Sequence, residues 1–168
     1  MIVWGGYSGG VHVNTGARYN ANDDAWTATT LLNAPDGRIA HAAIWTGNEM
    51  IVWGGYSYEQ DRFFDTGGRY SPTTDSWTGT VTINTPHAAE SPTAVWTGSQ
   101  MIVWGGFFAF TDPFGHFHSY VLDTGGRYCA QSGPTPTPSP GPTPTPYTGR
   151  CEPTPRPRPT PHVRPTPG

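Results

Sequence analysis

The chain has 168 residues, 12% of them charged, and a formal net charge of −3 at pH 7. Residues 1–132 hold eleven acids and five arginines (5 − 11 = −6), and the rest holds Glu152 against Arg150, Arg156, Arg158 and Arg164 (4 − 1 = +3). Neither part carries a domain-scale basic surface, so no nucleic acid partner is expected, and no apolar run is long enough to span a bilayer.

The hexapeptide Met-Ile-Val-Trp-Gly-Gly opens the chain at residues 1–6 and returns at 50–55 and 101–106. A second block keeps step with it. Residues 14–19 read Asn-Thr-Gly-Ala-Arg-Tyr, and 65–70 and 123–128 both read Asp-Thr-Gly-Gly-Arg-Tyr. A fixed long period marks a solenoid, a propeller or an array. The chain opens directly on what reads as an internal strand, with no signal peptide in view. It therefore reads as a fragment of a longer protein.

The first repeat, 1–30, begins at its second strand and is partial. The middle repeat, 38–80, is complete. Residues 39–45 read as a strand, 46–48 as a tight turn, and 49–53 as a second strand rich in Ile, Val and Trp. Gly54 and Gly55 end it, since paired glycines allow positive φ at a sharp exit. A variable stretch follows, then strands at 66–70 and 76–80 separated by turn residues. The third repeat, 88–131, supplies three strands and no closing Trp. No segment sustains a helical period. Four short antiparallel strands per repeat indicate a propeller blade. Tyr19 and Trp26, and Tyr70 and Trp77, stand seven residues apart and read as core rings between successive sheets. Arg18, Arg69 and Arg127 precede the tyrosines Tyr19, Tyr70 and Tyr128 and read as blade-to-blade hydrogen-bonding groups.

These residues resemble the kelch repeat. The resemblance rests on Gly5 and Gly6, Gly54 and Gly55, Gly105 and Gly106, and the two Tyr/Trp pairs. Arg38 and His41 ahead of Trp45 are similar to that family's first strand. In the third repeat Ala89 and Pro92 stand in their places. The resemblance implies an all-β chain, an incomplete kelch-type β-propeller of about two and a half four-stranded blades, galactose oxidase-like in fold and bacterial in origin. It also implies a non-catalytic protein- or carbohydrate-interaction module. The alternative is a fragment of a propeller enzyme, an oxidase or a glycan-active one, with its catalytic residues in other blades. Cys129 adjoins Tyr128 but points to the opposite strand face, and no copper ligand set is in view. No catalytic residue, cofactor or metal is assigned. Open blade edges are expected to favour self-association.

Residues 132–168 form a Pro/Thr-rich tract, read as an extended spacer of the kind found in exported bacterial proteins. On that resemblance the expected location is extracellular or cell-surface. Cys129 and Cys151 either stay free or pin the tract to the last strand through a disulfide.

Long and dissimilar connections gather on one face: 7–13, 56–64 and 107–122, seven, nine and sixteen residues long. Function on a regular scaffold concentrates in such loops. The third loop holds Phe110, Phe114, His116, His118 and Tyr120, which are the candidate ligand contacts. Tyr58 and Asp61 from the preceding loop are expected beside them. His116 and His118 share a face, but two imidazoles without a third ligand do not make a metal site.

Overall fold

The computed structural model describes residues 1–80 and 85–129. In the first repeat, β1 (Ile2–Trp4) leads to a small hairpin, β2 (Tyr7–Ser8) and β3 (Val11–His12), then to β4 (Gly16–Asn20) and β5 (Ala25–Ala28). The second repeat has β6 (Ala42–Trp45), β7 (Met50–Trp53), the hairpin β8 (Tyr56–Ser57) and β9 (Arg62–Phe63), then β10 (Gly67–Ser71) and β11 (Ser76–Gly79). The third has β12 (Thr93–Trp96), β13 (Met101–Trp104), the hairpin β14 (Phe107–Thr111) and β15 (Phe117–Val121), and β16 (Gly125–Tyr128).

The sheets order as β1-β4-β5, β6-β7-β10-β11 and β12-β13-β16, all antiparallel. One four-stranded sheet between two three-stranded ones is an incomplete β-propeller. The described residues contain no helix, so among them none is long and apolar enough to cross a membrane. Residues 132–168 and Cys151, with the bridge considered for it, lie outside the described residues.

The central sheet shows why Met-Ile-Val-Trp recurs. Side chains alternate along a strand, and β7 has an apolar neighbour on each side. Met50 and Val52 join Trp4, Tyr70 and Trp77 in one core. Ile51 and Trp53 join Met101 and Val103 in the other. All four β7 residues are buried, and full burial of each such side chain stabilises by roughly 1.5–3 kcal/mol. The seams also carry hydrogen bonds. Trp77 Nε1 donates to Thr30 O at 3.1 Å, and Arg18 Nη1 donates to Pro72 O at 2.7 Å. Arg18 thus ties the first sheet to the β10–β11 turn of the second.

Two expectations need correcting. Trp26 is not core: it is 52% exposed. Its counterpart Trp77 faces the first sheet, whereas the face bearing Trp26 has no sheet packed on it among the described residues. The first strand of the middle repeat starts at Ala42, not at residue 39, because Ala40 sits at φ +51° and breaks the extended run. Ser91 does the same at φ +51° in the third repeat, and its N–H donates to Ala40 O at 2.6 Å.

A recurrent clip holds three turns. Tyr19, Tyr56 and Tyr70 each donate a hydroxyl hydrogen bond to the aspartate five positions on, Asp24, Asp61 and Asp75, at 2.8, 2.7 and 2.5 Å. Each aspartate is at positive φ, a conformation Asp tolerates better than most residues. The bond to Asp61, together with burial, pushes the Tyr56 hydroxyl up to about 12.

Candidate ligand-binding face

Each variable connection leaves its sheet through a Gly-Gly pair and folds back as a hairpin. The hairpins are rooted by backbone bonds. Val13 N donates to Gly6 O at 2.9 Å, Phe64 N to Gly55 O at 2.9 Å, and Leu122 N to Gly106 O at 2.8 Å. Ile39 and Tyr56 exchange two bonds of 3.0 Å, as Glu90 and Phe107 do at 2.9 Å. Beneath the second hairpin Arg38 is 1% exposed. Its guanidinium lies 3.8 Å from the Phe64 ring centre and donates to Gly54 O and Thr66 O at 3.1 and 2.8 Å. Burial lowers its ionisation to about 10. The buried cation is compensated by carbonyls and a ring face.

Rings connect the three hairpins. Tyr7 lies 5.4 Å from His12, and His12 stacks on Tyr58 at 5.2 Å. Tyr58 meets Tyr56 at 4.9 Å, and Tyr56 meets Phe63 at 4.6 Å. Phe63 reaches Phe108 at 5.1 Å, and Phe108 reaches Phe110 at 6.0 Å. Phe110 stacks on His118 at 5.0 Å and on Tyr120 at 6.2 Å. The rings form a continuous band across all three blades.

The third hairpin brings Phe110, His118 and Tyr120 together: Phe110 pairs with His118 across β14 and β15, and Tyr120 pairs with Phe108. Phe114 stands at the tip, 85% exposed. His116 lies just before β15. Asp112 organises this tip. Its Oδ1 accepts the N–H groups of Phe114 and His116, both at 2.9 Å, and its Oδ2 meets His116 Nδ1 and His118 Nε2, both at 3.1 Å. The His116 N–H, then the His118 ring, hold its carboxyl below the usual range. Tyr58 and Asp61 sit on the second hairpin. The ring contacts of Tyr58 run to His12 and Tyr56, and Asp61 is engaged in the Tyr56 clip.

Sequence reasoning passed over His12 and Glu59, 47 positions apart. Glu59 Oε1 accepts the His12 N–H at 2.8 Å, and Oε2 meets the His12 ring Nδ1 at 2.6 Å and the Ser57 hydroxyl at 2.9 Å. This clamp locks the first hairpin to the second. Desolvation pushes the Glu59 carboxyl up. Backbone N–H groups of Glu59 and His12, with Ser57 and the His12 ring, outweigh it and hold the carboxyl at about 2. The clamp is therefore intact above the unfolded carboxylate value and is lost as pH falls through about 2. Glu59→Ala is expected to speed amide exchange at His12 while leaving β7 amides protected. Hydrogen exchange read by NMR checks this, and unchanged exchange at His12 would count against the clamp.

No family model matches the chain. It is 30% identical over 122 residues to Kelch domain-containing protein 3 of Homo sapiens, and 29% identical over 122 residues to that of Bos taurus. Each alignment covers 71% of this chain and 31% of the relative, so the chain spans about a third of the length of the curated relatives it matches.

Proposed function

We propose that this chain is a non-catalytic, kelch-type protein-interaction module that binds its partner through the hairpin face. The observation that carries this reading is the continuous band of rings from Tyr7 to Tyr120. Aromatic side chains bury large area at low conformational cost and dominate binding energetics where they cluster. Between them stand groups that fix orientation: Asp112, His116, His118 and the Tyr58 hydroxyl. The similarity to two kelch domain-containing proteins supports the scaffold. The band suits an extended peptide segment, laid across three blades with successive side chains between successive rings.

Selection of a displayed random-peptide library on the immobilised chain tests this. Enriched peptides are expected to lose about tenfold to thirtyfold in affinity against Phe110→Ala, and against Phe114→Ala with His116→Ala. Circular dichroism should show both variants still folded, because the tip lies outside both cores. Equal binding by the parent and both variants would make the hairpin structural cover. A glycan array run in parallel separates the carbohydrate reading: retention of glycans, lost in the same variants, with no peptide enrichment, would replace the protein partner with a sugar.

A further inference from the structure

The ring band is paved most densely on the third hairpin. Phe108 stands opposite Tyr120 and Phe110 opposite His118, so these four rings share one face of β14 and β15. Phe110 stacks on His118 at 5.0 Å and lies 6.0 Å from Phe108. Phe63 of the second hairpin continues this floor, 5.1 Å from Phe108. Phe110 and Tyr120 are 43% and 49% exposed.

Hydrogen-bond donors stand along the same band. Tyr19, Tyr56 and Tyr70 direct their hydroxyls to aspartates. Tyr58 and Tyr120 are exposed, and their hydroxyls bond to no other described residue. Exposed ring faces beside open O–H donors suit one kind of peptide. A polyproline II segment lays pyrrolidine rings on aromatic faces, and its carbonyls have no partner within the segment.

The chain carries such a segment. Residues 134–146 hold seven prolines in thirteen positions, alternating with Thr, Ser and Gly, a composition that favours polyproline II. We propose, resting on the reading of the hairpin face as the binding face, that residues 134–146 dock in cis on the ring floor of the third hairpin and compete there with the partner. The reach is sufficient. β16 ends at Tyr128, opposite Met101 of β13, the strand that leads into this hairpin. Passing back along the four residues of β16 takes about 13 Å, and residues 129–133 span up to about 17 Å. The tract then covers about 40 Å at about 3.1 Å per residue, against about 17 Å for the five residues of β14. A short tether gives an effective concentration on the order of millimolar, which fills even a weak site. Charge agrees with this placement. The residues after the tract carry Arg150, Arg156, Arg158 and Arg164 against Glu152, and the second and third hairpins carry Glu59, Asp61 and Asp112 against Arg62.

The test compares the full chain with a full-chain variant carrying Pro136→Ala, Pro138→Ala, Pro140→Ala, Pro142→Ala and Pro144→Ala, by NMR. Resonances of Phe108, Phe110, His118 and Tyr120 are expected to shift, while those of β7 stay unchanged. A capped peptide with the sequence of residues 134–146 should bind the variant at least tenfold more tightly than the parent, whose floor is already occupied. Adding Phe110→Ala to the variant should weaken that binding about tenfold. Floor resonances that do not differ between parent and variant, or equal binding of the peptide by the two, overturn the proposal. So do floor differences that vanish when the parent is diluted, which would assign the tract of a second copy. In either failure, library-selected peptides that still bind the face and are lost with Phe110→Ala would keep the binding face and remove only this occupant. Absence of such peptides would remove both.

Discussion

Replacing Gly54 and Gly55 together by Val is expected to cost on the order of 4 kcal/mol, enough to leave the second blade unfolded at room temperature. Two effects add. Gly54 is at φ +71° and Gly55 at φ +96°, where a β-branched residue is strained by roughly 1–3 kcal/mol each. The space is also taken. A Cβ at Gly55 would lie 2.5 Å from Ile39 O, and one at Gly54 would lie 2.9 Å from Ala89 O and 3.1 Å from Pro92 Cγ. Those neighbours belong to the seams: Gly55 N donates to Ala89 O at 2.8 Å, a bond that holds the third repeat against the second. Relief of the clash would therefore open the blade contact. Gly79→Ala is the control, since a Cβ there meets nothing within 4 Å and its φ is not positive. It should stay within about 0.5 kcal/mol of the parent. Urea unfolding followed by circular dichroism reads both. A double variant that unfolds with the parent's midpoint would show that the glycines do not hold the exits.

The three sheets were legible because each strand repeats a sequence block, and the blocks stay in register through about fifty-residue steps. The hydrophobic alternation of β7 and the seam role of Arg18 follow from the same repetition. The hairpins were read only as variable stretches. β2, β3, β8 and β9 are two residues each, too short for any period to register. They stand because ring contacts and bridges to neighbouring repeats hold them. The His12–Glu59 clamp left no local trace, since its partners lie in different repeats. The tyrosine–aspartate clip did leave one: the pair recurs at a spacing of five in Tyr19/Asp24, Tyr56/Asp61 and Tyr70/Asp75. Asp24 and Asp75 read as turn residues alone, and Asp61 read as a ligand contact, lose this half of their role. Trp26 shows the opposite limit. Repetition places a ring correctly on a face, but only the neighbouring sheet decides whether that face is buried.

Acidification from pH 7 to about pH 4.5 is expected to destabilise the chain through His41, on the first seam. Its ring meets Trp4 edge-on at 5.3 Å, and a Cβ on Gly5 would lie only 2.8 Å from its Cε1. Burial, then the Arg38 charge, lower its ionisation from 6.5 to about 4, against a smaller opposing bond to the Arg38 backbone. The folded chain thus keeps His41 neutral where the unfolded chain protonates it. Between about 6.5 and 4 the unfolded state binds more protons, so stability falls as pH falls. Integrated over that interval, the loss approaches about 3 kcal/mol. The window lies mostly above that of the low carboxyls: Glu59 is at about 2, and Asp75 is lowered first by the Tyr70 hydroxyl. Their contributions fade below the unfolded carboxylate range. His41→Gln removes the titrating group while keeping a polar side chain of similar reach. Its unfolding midpoint should start lower at pH 7 and stay nearly flat to pH 5, while the parent's declines toward it. Parallel declines in the two proteins would place the titration elsewhere. In the third repeat Pro92 occupies the equivalent position and touches Gly54 as His41 touches Gly5, so only the first of the two seams carries this proton-sensitive contact at that position.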